Sequence, residues 1–269
     1  MIRAFLASFG SCIALVAYYL GIRKDVTLQN VGRAFPNEKL AKRKAIARAS
    51  FLNLGRVFGE MFYLRFAFQK NILKKIDIDN PEIVTQLLSE GKGVIAVSAH
   101  FSNWEWMAMG GAPKLGGGFY IVVKNIAGKF AERFLQAMRI RTGNFLIASG
   151  DVRGMFKVLK EGKLVALLSD QAAPMGSVRV PFFGIETPTF EGPARMALRT
   201  RAAMVFVVCL PATKGKYKLS FTVIPFDDLK DESDASVQEL TLRHVRILEE
   251  YIRQYPSLWL WQHRRWKNA

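Results

Sequence analysis

From Gly93 onward, short apolar runs rich in β-branched residues alternate with segments of helical character. This alternation is typical of α/β proteins, in which helices connect and cover the strands of one sheet. With 269 residues, the chain is long enough for one large α/β domain with added helices. The apolar runs predict strands at residues 94–98, 119–123, 145–148, 164–168, 204–210 and 218–224. The segments between and after them predict helices at residues 104–111, 128–141, 152–161, 192–201 and 234–255.

The first predicted strand leads directly into the segment His100-Phe-Ser-Asn-Trp-Glu105. Residues five apart in a continuous helix point in different directions, so His100 and Glu105 can meet only if the histidine lies on the turn before the helix. A carboxylate bound to one imidazole nitrogen fixes the tautomer and leaves the other nitrogen free to act as a base. The alternative is that His100 is a turn residue and Glu105 a first-turn acid that interacts favourably with the helix dipole.

Polar residues also follow other predicted strands. Lys124 and Asn125 follow the second strand, Asp170 and Gln171 follow the fourth, and a further polar group is the loop at residues 179–184. Active sites of open α/β sheets gather at the carboxyl ends of the strands. We therefore expect these groups to converge with the histidine on one site.

Several other classes of site find little support in the sequence. Gly116-Gly117-Gly118 precedes a predicted strand instead of a helix, so it is not a phosphate-binding loop. Cys12 and Cys209 lie in apolar runs and define no disulfide or zinc framework, and we expect neither a metal nor a cofactor. Ser98 and Ser102 flank the histidine and leave a serine hydrolase open, although the glycine-framed serine elbow is absent.

The chain is strongly basic, and the charge is concentrated near its start. The formal net charge is +17, and residues 1–75 contribute +11 of it, from fourteen Lys/Arg and three Asp/Glu. Large apolar residues are interleaved with these cations, and the mean hydropathy of the chain is +0.10. This combination favours an anionic membrane surface as a partner. Two alternatives are a helix whose apolar side packs on the main domain, and a non-enzymatic protein that binds nucleic acid or membranes. The second alternative does not explain the polar residues at the strand ends, so we expect no nucleic-acid partner.

Residues 4–20 form an uncharged stretch of 17 residues that only just reaches the thickness of a bilayer core. The basic start and short apolar run are also typical of a signal peptide, but Tyr18-Tyr19-Leu20 offers no small-residue cleavage site. We interpret the chain as a membrane anchor or membrane-dipping helix at residues 1–22, a basic aromatic helical region at 23–80, and an α/β domain at 81–269.

Six short sequence motifs point to a known protein family. They are Leu28-Gln-Asn-Val-Gly-Arg-Ala-Phe-Pro36, His100-Phe-Ser-Asn-Trp-Glu105, Ser169-Asp-Gln171, Val180-Pro-Phe-Phe-Gly184, Thr189-Phe-Glu-Gly-Pro-Ala194 and Trp261-Gln-His-Arg-Arg-Trp-Lys267. Each motif is modest alone, but their number and order are specific. Together they resemble the bacterial lipid A biosynthesis acyltransferases, the late acyltransferases of the lauroyl and myristoyl type, over about residues 23–267.

The resemblance implies an α/β fold like that of glycerol-3-phosphate acyltransferases, with a mixed sheet flanked by helices and an N-terminal helical membrane-associating region. It implies transfer of a fatty acyl chain from acyl carrier protein to a hydroxyl of a lipid A precursor, without an acyl-enzyme. The implied location is the cytoplasmic face of the bacterial inner membrane. A related acyltransferase that acts on another glycolipid or lysolipid acceptor is the alternative.

The family's histidine–acid motif falls on His100 and Glu105, which gives them the roles of general base and orienting carboxylate. Its essential arginine falls on Arg139, with Arg141 close enough to be an alternative, and its later acid falls on Asp170. On this assignment, Asp170 would hold either Arg139 or the glucosamine hydroxyls of the acceptor.

Each further candidate for substrate binding lies in or next to one of the six motifs, or at the end of a predicted strand. They are Ser102, Asn103, Lys124, Gln171, Arg179 and Gly192. Among them, Lys124 and Arg179 are the candidates for the acceptor's phosphates. We expect His244 to be an exposed helix residue, and residues 263–267 to anchor the C-terminus to headgroups or to the domain.

Overall fold

The computed structural model describes residues 1–124 and 128–269, which form an α/β fold. The helices are α1 (Ile2–Tyr19), α2 (Lys24–Ala34), α3 (Leu40–Phe66), α4 (Gln69–Leu73), α5 (Pro81–Ser89), α6 (Trp104–Lys114), α7 (Lys129–Arg139), α8 (Val152–Lys160), α9 (Gly192–Thr200) and α10 (Asp234–Gln254). The strands are β1 (Ile76–Ile78), β2 (Val94–Ser98), β3 (Tyr120–Val123), β4 (Phe145–Ala148), β5 (Leu164–Leu168), β6 (Arg179–Phe182), β7 (Ile185–Pro188), β8 (Ala203–Pro211) and β9 (Tyr217–Val223). Short 3₁₀ turns lie at Ile140–Thr142, Thr213–Gly215 and Pro256–Leu258.

Seven strands form one mixed sheet in the order β1-β9-β8-β2-β5-β3-β4. The strands from β8 to β4 are parallel to one another, whereas β9 is antiparallel to β8 and parallel to β1. β2 is central and buried along its whole length, because its side chains alternate between two apolar layers. Ile95 and Val97 pack in one layer, and Val94 and Ala96 pack in the other.

The six strands that the apolar runs predict are all present, and their ends shift by no more than one residue. Residues 179–184, predicted as a loop, instead form β6 and the turn into β7, an antiparallel hairpin outside the main sheet. Phe183 and Gly184 make this turn with φ values of 52° and 73°. The sequence pattern does not predict β1, which is three residues long and pairs with β9. The sheet therefore begins before residue 81.

α1 packs along α3 at backbone contact distance. A Cβ atom on Gly10 would lie 2.1 Å from the carbonyl oxygen of Gly55, and one on Gly59 would lie 2.0 Å from the carbonyl oxygen of Leu6. Such separations leave no room for a side chain, so glycine is required for the two helices to approach this closely. α1 is thus attached to the α/β fold along its length.

α1 also exposes a set of large apolar side chains, and α3 continues this set. We call these residues the N-terminal apolar face: Ile2, Phe5, Phe9, Ile13, Val16 and Tyr19 on α1, and Phe58, Phe62 and Phe66 on α3. Within the described ranges, α1 is the one helix that is long and apolar enough to cross a membrane, by length and composition alone. Its packing on α3 means that only part of its surface is available to lipid.

We expect Gly59→Ala to destabilise the protein by about 1–3 kcal/mol, because the new methyl group overlaps the backbone of α1. Denaturant unfolding in mild detergent measures this difference. Gly117→Ala is the matched control, since nothing lies within 4 Å of a Cβ atom at that position and its φ is not positive. Equal unfolding midpoints for the two variants would contradict the close packing of α1 on α3.

Candidate active site

His100 and Asp170 meet because β2 and β5 are neighbouring parallel strands. The register pairs Ser98 with Leu168, so His100 and Asp170 each lie two residues beyond the last registered pair. The Ser169 N–H donates to the carbonyl oxygen of Ser98 at 3.1 Å and extends the ladder to this point. His100 Nδ1 lies 2.8 Å from Asp170 Oδ1, and the His100 backbone N–H donates to Asp170 Oδ2 at 3.0 Å.

The Asp170 carboxylate is buried and also accepts a hydrogen bond from Trp259 Nε1 at 2.9 Å. Burial raises the pKa of Asp170, but the charge of protonated His100 and the hydrogen bonds from His100 and Trp259 outweigh it, so that the pKa lies below its ordinary value. Folding therefore favours the ionised carboxylate. Its stabilising contribution is present above the ordinary value of about 3.9 and is lost as the pH falls through the lower folded value.

The ionised carboxylate sets the tautomer of the histidine. Because a carboxylate can only accept, the proton of neutral His100 resides on Nδ1, and Nε2 carries the lone pair. The side chain of His100 is 20% exposed, and Gln171 Nε2 lies 3.5 Å from His100 Nε2. The arrangement can remove a proton from a group that approaches Nε2, and Asp170 can stabilise the imidazolium that results.

The structure corrects the predicted partners of Glu105 and Asp170. The buried Glu105 carboxylate accepts two hydrogen bonds from Arg139, at 3.0 Å from Nε to Oε2 and 2.5 Å from Nη2 to Oε1. Glu105 lies in the first turn of α6, which directs its side chain away from the histidine. Asp170 therefore holds His100, not Arg139, and Glu105 holds the arginine.

Arg139, and not Arg141, is the arginine next to this site. Burial lowers the pKa of Arg139. The charge of Glu105 and its hydrogen bond raise that pKa by more than burial lowers it, so it lies above its ordinary value. Arg141 instead donates to the backbone carbonyls of Arg65 and Ala67 at the surface. The Glu105–Arg139 pair is thus a fixed, charge-neutral unit with a bidentate geometry.

An apolar pocket of about 80 Å³ lies between α6 and the sheet, and Glu105 and Arg139 are the charged residues in its lining. Trp104 also lines the pocket, and its ring centroid lies 5.1 Å from that of His100. Apart from Ser98, the remaining wall is hydrocarbon and includes Met107, Ala108, Phe119, Ile121, Leu167 and Phe221. The pocket therefore offers an apolar environment next to the histidine.

Glu60 holds the N-terminus of α6, a role that the sequence reasoning did not identify. Its buried carboxylate accepts hydrogen bonds from Asn103 Nδ2 at 2.8 Å, Trp106 Nε1 at 2.8 Å and Tyr217 Oη at 2.7 Å. Arg3 Nη2, from α1, pairs with the same carboxylate at 2.7 Å. A lone carboxylate in an apolar helix is a signal for such a role, because an unpaired charge is costly to bury.

The C-terminal segment fixes the turn that carries His100. Leu260 N–H donates to the carbonyl oxygen of His100 at 3.0 Å, and Ser102 N–H donates to that of Leu258 at 2.7 Å. Ser102 has a φ of 52°, a conformation that costs a non-glycine residue free energy and needs support from its surroundings. His263 Nε2 accepts from the Ala172 N–H at 3.0 Å, which attaches the C-terminal segment to the domain.

The predicted substrate-binding residues divide between the site and other places. Gln171 lies beside His100, whereas Ser102 and Asn103 are buried, and Asn103 caps α6 by accepting from the Trp106 N–H at 3.2 Å. Lys124 is exposed at the end of β3, and Asn125 lies outside the described residues. Arg179 donates to the carbonyls of Glu186 and Asn268 on the hairpin side, and Gly192 begins α9. The described contacts do not bring Lys124, Arg179 or Gly192 to the histidine.

His244 and Cys209 are two further residues that the sequence analysis considered, and both are buried. His244, predicted to be exposed, is 2% exposed because it faces the core side of α10, and burial lowers its pKa to about 4. Burial raises the pKa of the Cys209 thiol, which keeps the thiol protonated and unreactive. Among the residues of ranges 1–124 and 128–269, no three His, Cys, Asp or Glu side chains are grouped to hold a metal ion.

Two variants separate the roles of the two carboxylates. We expect Asp170→Asn to change the ¹⁵N chemical shifts of the His100 imidazole, because the acceptor that holds its Nδ1 proton is replaced by a neutral amide. Glu105→Gln should leave these shifts unchanged and cost about 3–5 kcal/mol of stability, because it leaves the Arg139 charge buried without a partner. The chain has three histidines, so NMR spectra of labelled imidazoles can resolve them. A His100 signal that responds to Glu105→Gln but not to Asp170→Asn would contradict the observed pairing.

Comparison with known proteins agrees with this geometry. The sequence model described as bacterial lipid A biosynthesis acyltransferase matches residues 2–268. A lipid A biosynthesis palmitoleoyltransferase of Escherichia coli K12 is 25% identical over 265 residues, which cover 95% of this chain and 82% of that protein. A lauroyltransferase of the same organism is 24% identical, over 94% of this chain and 82% of that protein. A phosphatidylinositol mannoside acyltransferase of Mycobacterium tuberculosis H37Rv is 24% identical, over 86% of this chain and 73% of that protein. The chain therefore belongs to the bacterial lipid A biosynthesis acyltransferase family.

Proposed function

We propose that the protein transfers a fatty acyl chain from acyl carrier protein to a hydroxyl of a lipid A precursor, with His100 as general base. The observation that carries this proposal is the contact between His100 Nδ1 and the buried Asp170 carboxylate, beside an apolar pocket. Family membership supports acyl transfer in lipid A synthesis. The donor, the acceptor hydroxyl and the mechanism are the parts that we propose.

In the proposed reaction, Nε2 of His100 takes the proton of the acceptor hydroxyl as its oxygen attacks the thioester carbonyl. The imidazolium is stabilised by the Asp170 carboxylate, which remains ionised because its pKa is low. When the tetrahedral intermediate collapses, the carbon–sulfur bond breaks and the imidazolium returns its proton to the thiolate. The new ester and the free thiol leave the histidine neutral, so no acyl-enzyme is needed.

The apolar pocket is our proposed site for the acyl chain. Its hydrocarbon wall provides no hydrogen-bond partner for a sugar, but it can remove methylene groups from water at about 0.8 kcal/mol each. The Glu105–Arg139 pair is the charged part of its lining, and we propose that the thioester of a chain in the pocket lies beside this pair. Arg139 is thereby a proposed positioning residue for the donor.

The N-terminal apolar face supports a position at the surface of the inner membrane, on its cytoplasmic side. Exposed aromatic rings of α1 and α3 can enter the acyl boundary, and basic side chains near them can meet anionic headgroups. Lys70 is exposed on α4, which follows α3, and is one of the cations that give residues 1–75 their excess positive charge. Both substrates of the proposed reaction carry acyl chains, so a site near the bilayer surface suits them.

The same reaction on a different glycolipid is the second candidate. The resemblance to phosphatidylinositol mannoside acyltransferases favours it, since those proteins are named for another acceptor. The base and the pocket serve either acceptor in the same way. The two candidates are therefore distinguished by which lipid changes in mass when the gene is deleted.

We expect His100→Gln to lower kcat for acyl transfer by about 10²- to 10⁴-fold, because the base is lost while the fold is retained. Purified protein in detergent, supplied with acyl carrier protein thioesters and a tetra-acyl disaccharide acceptor, tests this directly. Mass spectrometry of lipid A from a deletion strain names the acceptor. Full activity of His100→Gln would remove the base assignment, and an unchanged lipid A would favour the other glycolipid.

We expect Ala108→Leu to shift donor preference toward shorter acyl chains, because the larger side chain fills part of the pocket. The ratio of kcat/KM values across a series of donor chain lengths measures this shift. Ala235→Leu, at an exposed position of α10, is the control for the added bulk. If Ala108→Leu lowers the rate equally for every chain length, the pocket does not hold the chain.

A further inference from the structure

A second, larger cavity lies between the start of α2 and the C-terminal segment, and nothing in the proposed reaction so far uses it. Its volume is about 690 Å³, and its lining is mainly polar. Four cationic side chains line it, together with one carboxylate: Arg23, Arg33, Arg264, Lys267 and Asp25. All five residues are exposed, so a solute can reach them. We call this cavity the basic cleft.

The charge of the basic cleft is not neutralised by the protein. In the described parts of the chain, none of the four cations forms a salt bridge with an acid, and the carboxylate leaves an excess of three positive charges. Arg33 makes a long hydrogen bond, 3.4 Å from Nη1 to the carbonyl oxygen of Trp266. Like charges that share a concave surface repel one another and attract anions. The cleft is therefore suited to an anion.

The C-terminal segment connects the basic cleft to the turn that carries His100. Leu260 donates its N–H to the His100 carbonyl, and Arg264 is four residues further along. Four residues span at most about 14 Å when extended. Asn30, which lines the cleft, donates to the carbonyl oxygens of Trp261 at 2.8 Å and His263 at 2.6 Å. These bonds hold α2, on the cleft side, against the C-terminal segment that also contacts the His100 turn.

We propose that the basic cleft binds a phosphate monoester of the sugar acceptor and thereby directs the acceptor hydroxyl toward His100. This proposal rests on the proposed function for the identity of the acceptor, but its binding test does not depend on turnover. A phosphate monoester carries up to two negative charges and three acceptor oxygens, which the guanidinium groups of Arg33 and Arg264 can bind in pairs. The cleft thus supplies affinity at a point removed from the reacting hydroxyl.

The shape of the cleft favours a sugar phosphate over an acidic protein surface. A concave cavity can surround a compact headgroup on several sides, whereas a helical protein surface is convex and needs a broad patch. A planar membrane surface likewise meets protruding cations more readily than recessed ones. Acyl carrier protein and phospholipid headgroups are therefore the alternatives that the experiment must exclude.

The binding test uses a deacylated glucosamine disaccharide that carries phosphate monoesters, with the unphosphorylated disaccharide as its comparison. We expect calorimetry to show binding of the first compound only. The double variant Arg33→Glu/Arg264→Glu should weaken that binding at least tenfold, and His100→Ala should leave it intact. Retention by the double variant, or equal binding of the two sugars, would overturn the proposal whatever reaction the protein catalyses.

The kinetic test separates positioning from general electrostatics. With a phosphorylated lipid acceptor, the double variant should raise KM at least tenfold with a smaller change in kcat, and with a dephosphorylated acceptor it should match the wild type. Arg153→Glu/Lys160→Glu on α8 changes the net charge equally at exposed positions outside the cleft and is the control. An effect on the KM of acyl carrier protein, or on vesicle binding, in place of an effect on the KM of the acceptor would assign the cleft to one of those partners.

Arg264→Glu/Lys267→Glu repeats the test without Arg33, in case the contact of Arg33 with Trp266 is needed for folding.

Discussion

The parallel pairing of β2 with β5 determines the candidate site, because it alone brings a histidine and an aspartate to the same point at the edge of the sheet. The backbone ladder sets this position before any side chain is considered, since both residues extend two positions beyond one registered pair. The imidazole and the carboxylate then need only a short reach to meet. A shift of one residue in that register would turn one of the two side chains to the opposite face.

Three buried carboxylates lie around the beginning of α6, and each pairs with a different basic side chain. Glu60 pairs with Arg3 from α1, Glu105 with Arg139 at the end of α7, and Asp170 with His100. Exchange of partners would leave a charge in a low-dielectric environment without compensation, which is costly. The separate pairing therefore favours one arrangement of the turn.

Much of the fold was predictable from the sequence, because each strand of the sheet is a short apolar run bounded by polar or glycine residues. The central strands are buried on both faces, and this burial requires the continuous hydrophobic pattern that identifies them. β1 and the hairpin of β6 and β7 were missed because a charged residue or a proline interrupts each of these short strands, so none is a continuous apolar run. Pro181 within β6 also argues against a strand unless that strand lies at an edge.

The members of the site were easier to predict than their partners. His100, Glu105, Arg139 and Asp170 were all identified, but two of the pairings were exchanged. Proximity in sequence suggested Glu105 for the histidine, whereas the true partner is 70 residues away and is brought close by the order of strands in the sheet. Strand order depends on long-range packing, and local patterns do not encode it. The support from Trp259 and Glu60 was missed for the same reason.

The glycine contact between α1 and α3 has a consequence for biosynthesis. α1 leaves the ribosome before the segment that contains Gly55 and Gly59 has been translated, so its matching groove does not yet exist. During that interval, the side of α1 that carries Gly10 has no partner helix to pack against. The order of synthesis thus leaves α1 without its packing partner until α3 has been made.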